Sequence, residues 1–203
     1  MLKSKATTLL GGILLSTSMN ASAILIDFED AGALNNLTVG YKGLTWDSNV
    51  GDMYVINGTD PLWAGTGYEV MANAVPGSIV AYNGFASKPV DIAVNGSGAF
   101  DLNSAWFTSI YAPVFTMQFS GLLNGIEIYN LQFDALNTVA LMVNFNWTNI
   151  DTLRITSNSN HFFAMDNLSI NLVSSVAEPA PLALLGLGLI GMGYRFRKTN
   201  RAL

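Results

Sequence analysis

Alternation of apolar and polar residues in the middle of the chain constrains the fold more than any other feature. In residues 138–147, TVALMVNFNW, every odd-numbered position from Val139 to Trp147 is apolar, and the intervening side chains fall on the opposite face of an extended chain. A period of two is typical of a strand with one buried face. The run that ends at Val173 repeats the pattern, since Leu168 and Ile170 alternate with polar residues.

Frequent turn signals between such runs indicate an all-β chain. Asn-Gly pairs, which accept positive φ angles at low cost, recur at 57–58, 83–84, 95–96 and 124–125. The alternation slips near Tyr129 and Asn130, which predicts a β-bulge. No stretch between the two ends offers ten residues of amphipathic helix. We therefore predict an antiparallel β-sandwich of jelly-roll type over 24–175. A β-helix is the lesser alternative, because the chain has no fixed repeat period.

The first 23 residues have the organisation of a secretory signal peptide. Lys3 and Lys5 precede an apolar run, and the segment closes with the small residues Ala21-Ser22-Ala23. A signal peptidase reads small residues at the positions of Ala21 and Ala23, so we predict cleavage after Ala23. Residues 1–23 are accordingly left out of the predicted fold.

The last 28 residues, 176–203, form a second terminal unit. Residues 181–194 carry no charge, and the basic end follows at 195–201. A membrane-spanning helix needs roughly 20 apolar residues, so this short hydrophobic helix could cross a bilayer only with snorkelling or local thinning. A buried last helix would not need the basic cluster. A membrane anchor and a removable sorting signal are the remaining interpretations.

Charge separates the body of the chain from its ends. Between Ile24 and Ala177 there are 13 acidic and three basic residues, a net charge of −10, although the whole chain carries −5. A body with no basic stripe is not suited to nucleic acid. Such a surface fits an exported protein or one that binds divalent cations. The chain has no cysteine, so the fold must rest on its core or on a bound ion.

The order of features at the C-terminus resembles the PEP-CTERM sorting signal of Gram-negative bacteria. Glu178-Pro179 is followed by the apolar segment and then by Arg195, Arg197 and Lys198. Ala177 stands where that family usually has a first proline. The resemblance implies export through the inner membrane and recognition by an exosortase, an integral-membrane transpeptidase. It also implies membrane attachment before processing, and association with extracellular polysaccharide and biofilm matrix at the cell surface.

The body is similar to jelly-roll modules that are carbohydrate-binding-like, through IDFED after the signal, YKGLTWDS, and FFAMDNLSI in the closing strand. In such modules acidic residues near the first and last strands hold structural calcium. The matching positions here are Glu29 or Asp30, and Asp166. The parity of Asp166 with Leu168 also predicts that its carboxylate points inward, where it needs compensation. Calcium with oxygen ligands would supply it, and so would backbone N–H groups.

Side chains for catalysis are few, whereas aromatic residues are plentiful. His161 is the sole histidine and has no nucleophile near it in sequence, so we predict no enzyme. Trp63, in GTDPLWAGTGY, lies in a stretch that reads as an exposed loop, and Tyr68 follows on the same loop. These two rings are the predicted ligand-binding platform for sugars. A purely structural matrix component and, less favoured, a glycan-active enzyme are the alternatives.

Overall fold

The computed structural model describes residues 23–37, 39–46, 52–157 and 160–173. Within these ranges the chain forms eleven strands in two antiparallel sheets and one α-helix. The first sheet contains β1 (Ala23–Ile26), β3 (Met53–Asn57), β4 (Ile79–Asn83), β6 (Ala99–Ser109), β9 (Leu141–Ile150) and β11 (Phe163–Val173). The second contains β2 (Leu44–Thr45), β5 (Val90–Val94), β7 (Val114–Leu123), β8 (Ile126–Leu136) and β10 (Thr152–Ser157). The predicted all-β jelly-roll sandwich is thereby confirmed.

The closing strand holds the first sheet together. The strand order is β3-β4-β11-β6-β9, and β1 pairs with the same edge of β11 that β4 uses. β4 pairs with Ala164 and Met165, and β1 with Leu168 to Asn171. A gap therefore opens beside Asp166, where one neighbour has ended and the other has not begun. The second sheet has the order β2-β5-β10-β7-β8.

The core lies between the sheets and follows the alternation of the sequence. In β9, Phe145 and Trp147 are buried while Asn144 and Asn146 are exposed. In β8, Ile128 has no partner on β7, so the bulge lies one residue before the predicted position. Apolar side chains from both sheets form one continuous cluster, which supplies the main driving force for folding.

One helix departs from the predicted pattern. Helix α1 (Gly67–Ala74) lies in the stretch interpreted as a loop, and it packs on the outer face of the first sheet. Its buried side chains Tyr68, Met71 and Ala72 recur at helical spacing. With Val75, which directly follows the helix, they form a second apolar cluster with the sheet. Because the helix has only eight residues, its helical periodicity does not stand out in a stretch of sequence that is rich in Gly and Thr.

Several predicted features lie outside the described residues. These are the signal peptide up to Ser22, including Ala21, and the whole C-terminal unit with its hydrophobic segment; Ala23 begins β1. In the part of the chain that the structure describes, no helix combines the length and apolar character needed to span a bilayer.

A close backbone contact fixes α1 to the sheet, and it should be sensitive to a single methyl group. A Cβ at Gly67 would lie 1.9 Å from the carbonyl oxygen of Ser109, and the Gly67 N–H donates to the Ile110 carbonyl at 2.9 Å. Gly67→Ala should therefore lower the free energy of unfolding by about 1–3 kcal/mol, measured by urea denaturation. Asn73→Ala, at an exposed position of the same helix, should change it by less than about 0.5 kcal/mol. Equal stabilities of the two variants would contradict this packing.

Candidate functional site

Six aromatic side chains form a connected group on the outer face of the first sheet, around the N-terminal half of α1. Ring centroids lie 5.2 Å apart for Trp63 and Tyr68, 5.4 Å for Tyr68 and Tyr82, and 5.8 Å for Tyr82 and Tyr54. A branch continues from Tyr68 to Tyr111 at 6.4 Å and on to Phe162 at 6.2 Å. We call this group the aromatic cluster; its members are Tyr54, Trp63, Tyr68, Tyr82, Tyr111 and Phe162.

A short capped turn holds Trp63 in place. Residues Pro61–Trp63 form a 3₁₀ helix, and the Asp60 carboxylate accepts a hydrogen bond from the Leu62 N–H at 2.9 Å. The Trp63 carbonyl accepts the Thr66 hydroxyl at 2.6 Å. Glu69 closes the segment, because its carboxylate accepts the Gly65 N–H at 2.7 Å. The indole is therefore presented by a hydrogen-bonded turn and not by a free loop.

The structure corrects the predicted platform at both residues. Tyr68 is only 4% exposed, because it points from α1 into the second apolar cluster. Trp63 is half-buried against it. Tyr111, which the sequence reasoning did not single out, is 56% exposed and contacts the same buried ring. The signal that could have found Tyr111 is its position in SIYAP, directly after a strand and before a proline turn.

The phenol groups of Tyr68 and Tyr82 are uncharged. Burial, with smaller contributions from neighbouring tyrosines, raises the pKa of Tyr68 far above its usual value, and it raises the pKa of Tyr82 as well. These side chains therefore offer neutral hydroxyl groups at any physiological pH. Flat apolar rings beside neutral hydroxyls form a surface that can stack on a sugar ring.

The three predicted metal ligands lie in different environments. Asp30 is exposed and accepts hydrogen bonds from the Tyr41 hydroxyl, at 2.6 Å, and from the Lys42 ammonium. Those two bonds hold the pKa of Asp30 below its usual range. One Glu29 carboxylate oxygen accepts the N–H groups of Ser78 and Ile79, each at 2.7 Å. Glu29 thus connects the segment after β1 to the start of β4. Asp30 is bound to the loop at residues 41–42.

Asp166 is the unusual residue of the three. It is 1% exposed and lies beside the gap between β1 and β4. Its Oδ1 accepts the Asn167 N–H at 2.6 Å, while its Oδ2 is buried and has no hydrogen-bond partner among the described residues. Burial, with smaller contributions from the nearby charges of Glu29 and Asp27, raises the pKa of Asp166 to about 8, although the hydrogen bond from the Asn167 N–H lowers it. An orphaned carboxylate oxygen of this kind is costly unless it is protonated or binds a cation.

The face on which Asp166 lies differs from the prediction. Residues 166 and 167 form a bulge, with Asn167 at φ 48°, so Asp166 loses the parity that the sequence suggested with Leu168. Asp166 lies opposite Trp106 on β6, whereas Leu168 belongs to the core between the sheets. The burial of Asp166 was predicted correctly, but because of the bulge its side chain lies on the opposite face of the sheet from Leu168.

A set of metal ligands is not assembled around these residues. Over the ranges described above, no three acidic, histidine or cysteine side chains converge in a way that could hold a metal ion. Among the described residues, the oxygen that suits calcium is the unpartnered Oδ2 of Asp166. The acidic charges of Asp27 and Glu29 are close to it. His161 lies elsewhere, between β10 and β11, with its ring 5.4 Å from that of Phe115.

Because Trp63 is half-buried, its removal should affect stability as well as any binding. Trp63→Ala deletes the edge contact with Tyr68 and should lower the free energy of unfolding by about 1–2 kcal/mol. Leu62→Ala is the matched control, since Leu62 is adjacent and 74% exposed; it should cost less than about 0.5 kcal/mol. Thermal melts of both variants decide the point, and an unchanged melt for Trp63→Ala would place the indole outside the cluster.

Comparisons with known proteins address the tail and the fold separately. A PEP-CTERM protein-sorting motif matches residues 175–198, which include Glu178, Pro179, Arg195, Arg197 and Lys198. The family resemblance of the tail is thereby confirmed. No curated protein matches the chain.

Solved structures similar to this chain include modules with low sequence identity. The C-terminal family 22 carbohydrate binding module of Clostridium thermocellum Xyn10B is 13% identical, with 79% of this chain and 99% of that chain covered and a TM-score of 0.46. The CBM22-1-GH10 modules of Xyn10B, complexed with xylohexaose, are 13% identical with a TM-score of 0.42. That match covers 76% of this chain but spans only 29% of the longer one. CBM29_1 from Piromyces equi is 9% identical, with 78% and 95% covered and a TM-score of 0.42. The chain is an antiparallel jelly-roll sandwich that carries a PEP-CTERM sorting motif at residues 175–198.

Proposed function

We propose that this protein is sorted by an exosortase to the cell surface or extracellular matrix and binds polysaccharide there through the aromatic cluster, without catalysing a reaction. The sorting motif implies export and sorting to the cell surface. The binding role rests chiefly on one observation: Tyr111 and Trp63 present aromatic surface beside the buried phenol of Tyr68.

The geometry supports stacking on sugars in two ways. The half-buried Trp63 and the exposed Tyr111 both contact the buried ring of Tyr68, so both lose little freedom when they bind. Tyr54, Tyr68 and Tyr82 lie on β3, α1 and β4, and regular elements hold side chains more rigidly than free loops do.

The proposed binding function differs from the two alternatives, a structural component and an enzyme, in the side chains that each would need. A purely structural matrix component would not need surface rings held against a buried ring, as Trp63 and Tyr111 are held against Tyr68. A glycan-active enzyme would need two carboxyl groups placed for acid–base work. The groups that carry the present proposal are rings and neutral hydroxyls, which bind and do not transfer protons at physiological pH. Binding to nucleic acid has no support in the acidic body.

Tyr111→Ala is the variant that tests the binding role. Loss of one desolvated aromatic anchor costs about 2 kcal/mol, so the affinity for matrix polysaccharide should fall by about tenfold or more. Phe85→Ala is the matched control, because Phe85 is also exposed, at 45%, but lies outside the aromatic cluster. Affinity electrophoresis of both variants, beside thermal melts, measures the effect. Equal binding by the two would remove Tyr111 from the site.

Removal of the tail is the test of sorting. The order of Glu178-Pro179, apolar segment and basic end leads us to expect that protein isolated from its native host lacks the residues beyond the Glu-Pro motif. Intact-mass measurement of the secreted protein decides it, and the same protein from a host without an exosortase should keep the tail. Residues 195–203 on most secreted molecules would contradict the proposal.

We further propose that a structural calcium ion compensates Asp166. The free Oδ2 supports this, together with the acidic charges of Asp27 and Glu29 beside it; backbone carbonyls and water would supply the other ligands. Asp30 is left out, because it is already bound to Tyr41 and Lys42.

Calcium should therefore stabilise the fold through Asp166. A ligand that binds only the native state adds about 2.7 kcal/mol at a hundred times its dissociation constant, so a chelator should lower the melting temperature. Asp166→Asn should abolish the difference, whereas Asp30→Asn should keep it. A melting curve that does not respond to calcium would leave Asp166 as a buried, protonated acid.

A further inference from the structure

Helix α1 covers only part of the outer face of the first sheet. Beyond it, β11, β6 and β9 present a second surface, which we call the open face: Trp106, Met142, Ser104, Asn144, Ser169 and Asn171. Trp106 joins the open face to the helix, since its ring packs against the apolar cluster that contains Tyr68.

The residues of the open face are arranged in rows across the strands. Ser169 lies opposite Ser104, and Ser104 lies opposite Asn144, so three short polar side chains form one row. Trp106 and Met142 form the neighbouring row, two residues along the same strands. Side chains two residues apart on a strand are separated by about 7 Å, so the two rows lie side by side along the strands.

The polar groups of the open face have unused hydrogen-bonding capacity. Among the described residues, the side chains of Ser104, Asn144 and Asn171 have no hydrogen-bond partner. Ser169 accepts a single long bond from the Asn103 amide, at 3.3 Å. Amides and hydroxyls can both donate and accept, as the hydroxyl groups of a sugar require.

Charge narrows the class of ligand. None of the six residues of the open face is charged. Asp166, which lies opposite Trp106, is only 1% exposed, and the neighbouring Asp101 already accepts the Asn149 N–H at 2.9 Å. In the body of the chain two of the three basic side chains are in ion pairs, Lys42 with Asp30 and Arg154 with Asp91. A net charge of −10 over residues 24–177 would repel a polyanion. A neutral polymer meets no such penalty.

We infer that the open face binds a neutral polysaccharide, whose chain runs from Trp106 and Met142 along the strands over Ser104, Asn144 and Asn171. This inference rests on the proposed carbohydrate-binding function and names both its ligand class and a second contact surface. Trp106 and Met142 supply the apolar contact, and the rows of serine and asparagine supply hydrogen bonds to sugar hydroxyls.

The test is affinity electrophoresis of the full chain in gels that contain hydroxyethylcellulose, laminarin or galactomannan, with alginate as the polyanion. Ser104→Ala combined with Asn144→Ala removes one row of the open face. Gln118→Ala combined with Gln132→Ala is the matched control, because these two polar residues are also cross-strand partners, on the second sheet. Thermal melts of both double variants verify that they are folded.

We expect at least one neutral polymer to retard the wild type, and the Ser104/Asn144 variant to bind it about tenfold more weakly, while the Gln118/Gln132 variant binds normally. Normal binding by the Ser104/Asn144 variant, with Tyr111→Ala impaired, would overturn the open face and leave the proposed function standing. Retardation by alginate alone would overturn the ligand class. Retardation by none of the polymers would overturn both.

Discussion

The contacts of Phe107 are the interaction on which the rest of the structure depends. Its ring lies 4.9 Å from that of Phe119 in the second sheet, and 6.4 and 6.2 Å from those of Phe145 and Phe163 in the first. In a chain without cysteine, burial of such rings is what joins the two sheets. The proposed binding groups on the outer face of the first sheet are held in a fixed arrangement because this core keeps the strands in register.

The first sheet receives its shape from the way β11 shares one edge between two strands. β4 and β1 pair with the same edge in succession, and Asp166 lies at the junction. Glu29 bridges the junction by accepting two backbone N–H groups at the start of β4. Acidic side chains thus meet at this junction, and the buried Oδ2 of Asp166 has no partner among the described residues, which is the physical reason for expecting a cation to influence stability there.

Much of the fold could be predicted because alternation is a local property. The buried positions of β9, Phe145 and Trp147, follow from the sequence alone. The environment of Tyr68 could not be predicted, because it depends on the contact between Gly67 and Ser109, which are 42 positions apart. The face of Asp166 could not be predicted either, since one bulge residue, Asn167, reverses the parity. Of the two residues of the predicted platform, Trp63 remains partly at the surface. Tyr111 is brought to the same cluster only by folding, which places its ring against that of Tyr68.

An NMR titration of the labelled protein with a neutral oligosaccharide tests the central claim, that aromatic side chains on the outer face of the first sheet bind polysaccharide. The account predicts shifts of the Trp63 indole N–H and of the amides around Tyr111, with those of Gln118 and Gln132 on the second sheet unchanged. Shifts confined to the second sheet, or no shifts at saturating oligosaccharide, would contradict it.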